Sequence, residues 1–172
     1  MEKILLTYAP QGGFTEQAAY EIAQSITFAQ CNVMPGSKVS EKDFETYTFF
    51  IIGIATLGND SWNSGKQDAD TVHLQNIINK TDFSKKTIAL FGLGNAVLYP
   101  SHFVDEMGIF EQQLIAKHAS IVGYTPAIEY TFKDSKALRG TQICGLALDY
   151  DTELHTSKER IGRWALQLEK EL

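Results

Sequence analysis

The chain has 172 residues, 44% of them hydrophobic and 21% charged, and a formal net charge of −6 at pH 7. This size and balance suit one globular domain spanning 1–172, able to bury about 70% of its unfolded surface without a disulfide or a metal. The acidic balance argues against nucleic acid, whose phosphates need a basic surface, and no run approaches the roughly 20 apolar residues of a membrane span. The start Met1-Glu2-Lys3 lacks the basic region, long apolar stretch and cleavage site of a signal peptide. The two cysteines, Cys31 and Cys144, form no C-x-x-C pattern and lie in apolar stretches, which predicts two reduced core thiols and a reducing, cytoplasmic setting.

Along the chain, a short apolar run is repeatedly followed by an amphipathic stretch. Lys3–Tyr8 reads as a strand, and Ala19, Ile22, Ala23 and Ile26 then share one helical face. Cys31–Met34 is a weak strand ended by Pro35-Gly36. Phe49–Ile54 is apolar throughout, as a central strand covered on both faces should be. Leu74, Ile77 and Ile78 mark a helix, Ile88–Phe91 a strand, and Phe103, Met107, Phe110 and Leu114 a further helical stripe. Ala119–Val122 and Ile143–Leu148 both read as strand, separated by a polar stretch from Tyr124 to Gly140. A last helix is predicted to begin at the capping box Thr156-x-x-Glu159 and to turn Ile161, Trp164, Ala165 and Leu168 inward.

Strands alternating with helices predict an α/β protein with a parallel sheet and helices on both faces. Ligands of such sheets bind beyond the carboxyl ends of the strands, so function is expected in the loops after residues 8, 54 and 91. Those loops exclude several chemistries. A phosphoryl-accepting receiver needs an acidic pair after the first strand and an Asp after the third, where this chain has Tyr8-Ala9-Pro10 and Ala55-Thr56-Leu57. A P-loop needs a lysine after its glycines, and none follows Gly12-Gly13. Gly92-Leu93-Gly94 opens like a dinucleotide fingerprint, but Val97 replaces its third small residue and Pro100 interrupts the following helix. Asp149-Tyr150-Asp151-Thr152-Glu153 begins like a calcium loop yet has Leu154 where the turn glycine belongs. His73, His102, His118 and His155 have no metal-ligand spacing, and no serine has a nucleophile-elbow context.

The first loop, Ala9-Pro10-Gln11-Gly12-Gly13-Phe14-Thr15-Glu16, joins a strand to a helix. Its glycines let backbone N–H groups converge at a helix N-terminus, and Thr15 adds a hydroxyl donor. Two readings fit equally: a phosphate cradle without lysine, or an ordinary glycine-rich turn.

The later segments carry a resemblance. Gly92-Leu93-Gly94-Asn95-Ala96-Val97-Leu98-Tyr99, followed by Phe103-Val104-Asp105-Glu106-Met107-Gly108, is similar to the flavodoxin pattern GxGDxxxYxxxFxDxMG. Ser135-Lys136-Ala137-Leu138-Arg139, Gly145-Leu146-Ala147-Leu148-Asp149-x-Asp151 and Arg160-Ile161-x-x-Trp164-x-x-Gln167-Leu168 resemble the C-terminal half of long-chain flavodoxins. The likeness runs over essentially the whole chain, and the insertion Tyr124–Gly140 is similar to the loop that separates long-chain from short-chain members. The resemblance implies a five-stranded parallel sheet of order 2-1-3-4-5, non-covalently bound FMN, and one-electron transfer between a reductase donor and an acceptor protein by a monomer with no catalytic residues. By position, Pro10, Gln11, Gly12, Gly13, Phe14 and Thr15 would hold the phosphate. Thr56, Leu57, Gly58 and Asn59 would line one flavin face, and Gly92, Leu93, Gly94 and Asn95 the pyrimidine edge. Tyr99 would stack on the other face and Asp151 would lie near the ribityl chain.

Three departures from the pattern bear on the chemistry. Pro10 and Gly12 replace two hydroxyl residues of the phosphate loop. Each lost hydrogen bond to a charged acceptor is worth roughly 1.5–3 kcal/mol. Leu57 stands where a tryptophan commonly shields the flavin, with Trp62 five residues on as the other candidate cover, and Asn95 replaces an acid. Two alternatives follow: an FMN-dependent quinone reductase, or a flavodoxin-like interaction protein that has lost FMN.

Overall fold

The computed structural model describes residues 1–56 and 68–172. Three seven-residue strands, β1 (Lys3–Ala9), β3 (Phe49–Ala55) and β4 (Thr87–Leu93), are buried at all but their first residue. That is the environment their unbroken apolar runs predict, since a parallel strand is covered on both faces. Each is one or two residues longer than its apolar run at the carboxyl end, so the site-bearing loops start after Ala9, Ala55 and Leu93. β2 (Gln30–Pro35) is half-buried at the edge, where Pro35 can end a strand without breaking a central ladder.

The strand order is β2-β1-β3-β4-β5, all parallel. The fifth position is filled in two pieces: β5 (Ser120–Val122) pairs with Thr87–Ala89, and β9 (Leu146–Leu148) continues alongside Phe91–Leu93. Between them β6 (Thr125–Pro126), β7 (Leu138–Arg139) and β8 (Gln142–Ile143) form a small antiparallel sheet. The insertion is therefore longer than the polar stretch suggests. Ile143, apolar enough to read as core strand, belongs to β8.

Helices α1 (Gly13–Ser25) and α5 (Leu154–Glu171) pack on one face, sharing a core that includes Leu6, Phe91, Ile22 and Trp164. Helices α2 (Glu41–Thr46), α3 (Ala69–Lys80) and α4 (Asp105–Ala116) cover the other with Phe44, Leu74 and Phe110, joined by Tyr130 and Ala137 of the insertion. At six residues, α2 is too short to show a helical period, although Asp43 accepts the Ser40 N–H at its start (2.9 Å). Phe103 is buried but precedes α4 rather than belonging to it.

The capping box at Thr156 does not form. Helix α5 starts two residues earlier, at Leu154, where bonds to the segment just before it hold its first turns. Arg160 Nη1 donates to Glu153 Oε2 (2.5 Å), and Ser157 Oγ donates to the Asp149 carbonyl (3.2 Å). The inward residues Ile161, Trp164, Ala165 and Leu168 are all buried, as the periodicity predicts. Both cysteines are free. Cys144 is buried on one side of the sheet, but Cys31 is only half-buried against the other, because it lies on the edge strand.

Candidate functional site

Four loops meet at the carboxyl edge of the sheet and enclose a cleft of about 610 Å³. The first follows β1. Gly12 (φ 84°) and Gly13 (φ 71°) take left-handed backbone conformations that side chains rarely adopt, with open space around both. Gly12 caps α1 with no side-chain hydrogen bond, so its glycines and the helix N-terminus present N–H dipoles toward the cleft. Thr15 is buried beneath them. The Ala9–Pro10 peptide is cis. Gln11 points elsewhere: its backbone N–H donates to Asp70 Oδ2 (2.8 Å), and its side-chain oxygen accepts from Ser37 Oγ (3.4 Å).

Thr56 follows β3. Its N–H donates to the Leu93 carbonyl (2.9 Å) and its Oγ1 accepts the Glu106 N–H (3.0 Å), which ties this loop to β4 and to the first turn of α4. Leu57, Gly58, Asn59 and Trp62 lie outside the described residues.

The loop after β4 is held by hydrogen bonds at nearly every residue. Gly94 N–H donates to the Leu148 carbonyl (3.0 Å), and Asn95 Oδ1 accepts the N–H groups of Val97 (3.1 Å) and Leu98 (2.9 Å). Tyr99 N–H closes the turn on the Asn95 carbonyl (2.9 Å). The fourth loop, after β9, is anchored by buried Asp149, whose carboxylate accepts from the N–H of Ala96 (3.1 Å) and from Thr152 N–H (2.9 Å) and Oγ1 (2.5 Å). Asn95 Nδ2 also reaches Asp151 Oδ2 at 3.4 Å. Asp149 thereby binds two walls of the cleft together.

Two phenols are held by acids of α1. Tyr8 OH donates to Glu16 (2.5 Å) and Tyr150 OH to Glu21 (2.6 Å). Burial, and then the carboxylate partner, pushes both phenols well above the usual tyrosine range, so they stay protonated as donors. The Tyr150 ring lies 5.7 Å from Phe14, making an aromatic side wall.

Of the residues singled out from sequence, Pro10, Gly12, Gly13, Phe14, Thr15, Thr56, Leu93, Gly94, Asn95, Tyr99 and Asp151 line this one cleft. Gln11 and Gly92 are not among its lining residues. Gly92 sits within β4, where an added Cβ would meet Met107 and Val104 at 3.1–3.3 Å, so its smallness serves the packing of α4. Ala55, Leu98 and Tyr150 also line the cleft and were not singled out. Tyr150 carried a signal, lying between the two acids of the Asp149-x-Asp151 motif, whereas Leu98 and Ala55 look like ordinary apolar residues in sequence.

The described lining contains no lysine or arginine, and its ionisable groups are Asp151, Tyr99 and Tyr150. Among the described lining residues an anion meets backbone N–H groups and the Thr15 hydroxyl. Among the described residues no group of three His, Cys, Asp or Glu is placed to hold a metal ion. The cleft therefore suits a flat aromatic ligand with an anionic tail: Tyr99 and Leu98 at one end, the α1 N-terminus at the other.

The family model described as Flavodoxin matches residues 6–164. The chain is 34% identical over 174 residues to a flavodoxin of Synechococcus elongatus, covering 99% of this chain and 98% of that one. It is 32% identical over 177 residues to flavodoxin 1 of Azotobacter vinelandii, with the same coverage. In three dimensions it is similar to a Fusobacterium nucleatum flavodoxin bound to flavin mononucleotide, with a TM-score of 0.87 and 22% identity over 100% of this chain and 99% of that one, a likeness of fold.

Proposed function

The chain belongs to the flavodoxin family, and from that premise we propose that it carries electrons one at a time between redox proteins on a non-covalently bound FMN. The observation that carries this reading is the cleft itself. Its open glycine loop at the N-terminus of α1 suits a phosphate, and its aromatic and aliphatic walls suit an isoalloxazine ring. FMN supplies the one-electron chemistry; the protein supplies binding, orientation and shielding.

The loop from Pro10 to Thr15 holds the phosphate through backbone N–H groups and the Thr15 hydroxyl. Leu93, Gly94 and Asn95 face the pyrimidine edge, Tyr99 covers one ring face, and Thr56 lies toward the other. Asp151 lies toward the ribityl chain, and Tyr150 with Phe14 closes the side. The phenols of Tyr8 and Tyr150 are spent on carboxylates and move no proton, in keeping with a carrier that has no catalytic residue. Partners are a reductase donor and an acceptor protein rather than nucleic acid or membrane. The net charge of −6 favours basic docking faces. No described helix is long and apolar enough to cross a membrane. In this reading residues 1–172 act as one cytoplasmic, monomeric domain.

Stepwise anaerobic reduction, followed by absorption, tests the reading. A long-wavelength band should rise with the first electron and fall with the second. A yellow protein bleaching in one two-electron step would favour a reductase, and failure to take up FMN would favour an interaction protein.

A further inference from the structure

We propose that Asp70 is a specificity-determining residue of the phosphate loop, an electrostatic counterweight that lowers the preference of this site for a phosphorylated over an unphosphorylated flavin; the inference rests on the FMN reading above. Asp70 lies in the first turn of α3, but it does not cap that helix. Asp68 does so, accepting the Thr71 N–H through Oδ1 (2.9 Å) and the Thr71 hydroxyl through Oδ2 (2.5 Å). Asp70 instead reaches 59 residues back along the chain, and its Oδ2 takes the Gln11 N–H at 2.8 Å.

That N–H belongs to the loop whose dipoles must hold the phosphate. Pro10 has no N–H and Gly12 has no hydroxyl, which leaves the N–H groups from Gly12 to Thr15 and the Thr15 hydroxyl on the cleft. No lysine or arginine stands among the described lining residues to offset a second negative charge. A phosphate dianion held there binds beside a carboxylate seated on the adjoining Gln11 N–H. The cost falls on the phosphate alone, because a riboflavin ring and ribityl chain carry no charge for Asp70 to repel.

The test is to titrate the apoprotein separately with FMN and with riboflavin, following flavin fluorescence at low ionic strength, in the native chain, Asp70→Asn and Asp70→Ala. One unit charge about 6 Å from a dianion in water corresponds to a change of about tenfold in affinity. Both variants should bind FMN about tenfold more tightly and riboflavin as before. The FMN gain should shrink as salt is added. Asp70→Asn keeps an oxygen for the Gln11 N–H and Asp70→Ala does not, so a gain common to both identifies charge as the cause. FMN binding that is unchanged or weaker in both variants would overturn the proposal and make Asp70 an organiser of the loop. If the native chain bound neither flavin, the functional reading would fall and this inference with it. Binding of both flavins with an unaltered ratio overturns the inference alone.

Discussion

Asn95 uses its two ends differently. Its Oδ1 holds the turn before Tyr99 by accepting from Val97 and Leu98, while its Nδ2 donates toward Asp151. Asn95→Asp would keep both acceptor contacts but set a second carboxylate beside Asp151 and beside the proposed pyrimidine edge. An added repulsion of roughly 1–3 kcal/mol at an effective dielectric near 20 corresponds to roughly 40–130 mV for one electron. The second-electron potential of the FMN-loaded variant should fall by that amount, and an unchanged potential would refute the assignment of Asn95 to this edge. At this scale the sequence showed which residues come together and not how each is used. Gly92 and Gly94 are alike in the motif, yet only Gly94 lines the cleft. Which of two nearby glycines faces outward depends on where β4 ends, and that end is set by pairing with β3 and β9.

Elements meet where glycine permits backbone to approach backbone. A Cβ on Gly108 of α4 would lie 2.1 Å from the Lys136 carbonyl oxygen, so the insertion is seated directly on that helix. Alanine has a helix propensity about 1 kcal/mol better than glycine, but overpacking against backbone costs roughly 1–3 kcal/mol or more. Gly108→Ala should therefore lower stability by about 1–2 kcal/mol in a denaturant titration. Gly162 on α5 has nothing within 4 Å of its Cβ position, and Gly162→Ala should raise stability by about 0.5–1 kcal/mol. A gain in stability at Gly108 as well would show that the insertion does not rest on α4. Long apolar runs made β1, β3 and β4 legible because burial on both faces leaves a dense signal. The start of α5 was not legible, because Arg160 and Ser157 bond back to Glu153 and Asp149, seven and eight residues earlier, outside the four-residue capping pattern.

Across the whole molecule, buried acids of high pKa set an alkaline limit. Burial pushes the Cys31 thiol up to about 11 and the Cys144 thiol up to about 12, from 9.0. Burial, and then hydrogen bonding to Glu16, Glu111 and Glu21, raises the phenols of Tyr8, Tyr124 and Tyr150 beyond these. A group whose folded pKa is raised contributes nothing to the pH dependence below its unfolded value, where both states hold the proton. Above that value the unfolded chain releases its proton first, so stability falls with rising pH. The unfolding free energy should be level through neutral pH, begin to decline above about pH 9 as unfolded thiols ionise, and drop more steeply above about pH 10 as unfolded tyrosines follow. Tyrosinate absorbance from these buried residues should appear together with unfolding. Smooth titration of every tyrosine near pH 10 in a folded protein would contradict this.

By itself the sequence determined the alternation of strands and helices, the sheet faces, the glycine loop and the motif around Tyr99, because each is written in contiguous residues as period, composition or spacing. The tertiary structure decided the rest. It divided the fifth strand position between Ser120–Val122 and Leu146–Leu148, brought Leu98 and Tyr150 into the cleft, and set Asp70 on the loop after β1. These contacts join residues up to 129 positions apart, as Tyr150 and Glu21 are. A local pattern carries no trace of them because they depend on which chain ends the packed sheet brings to the same edge.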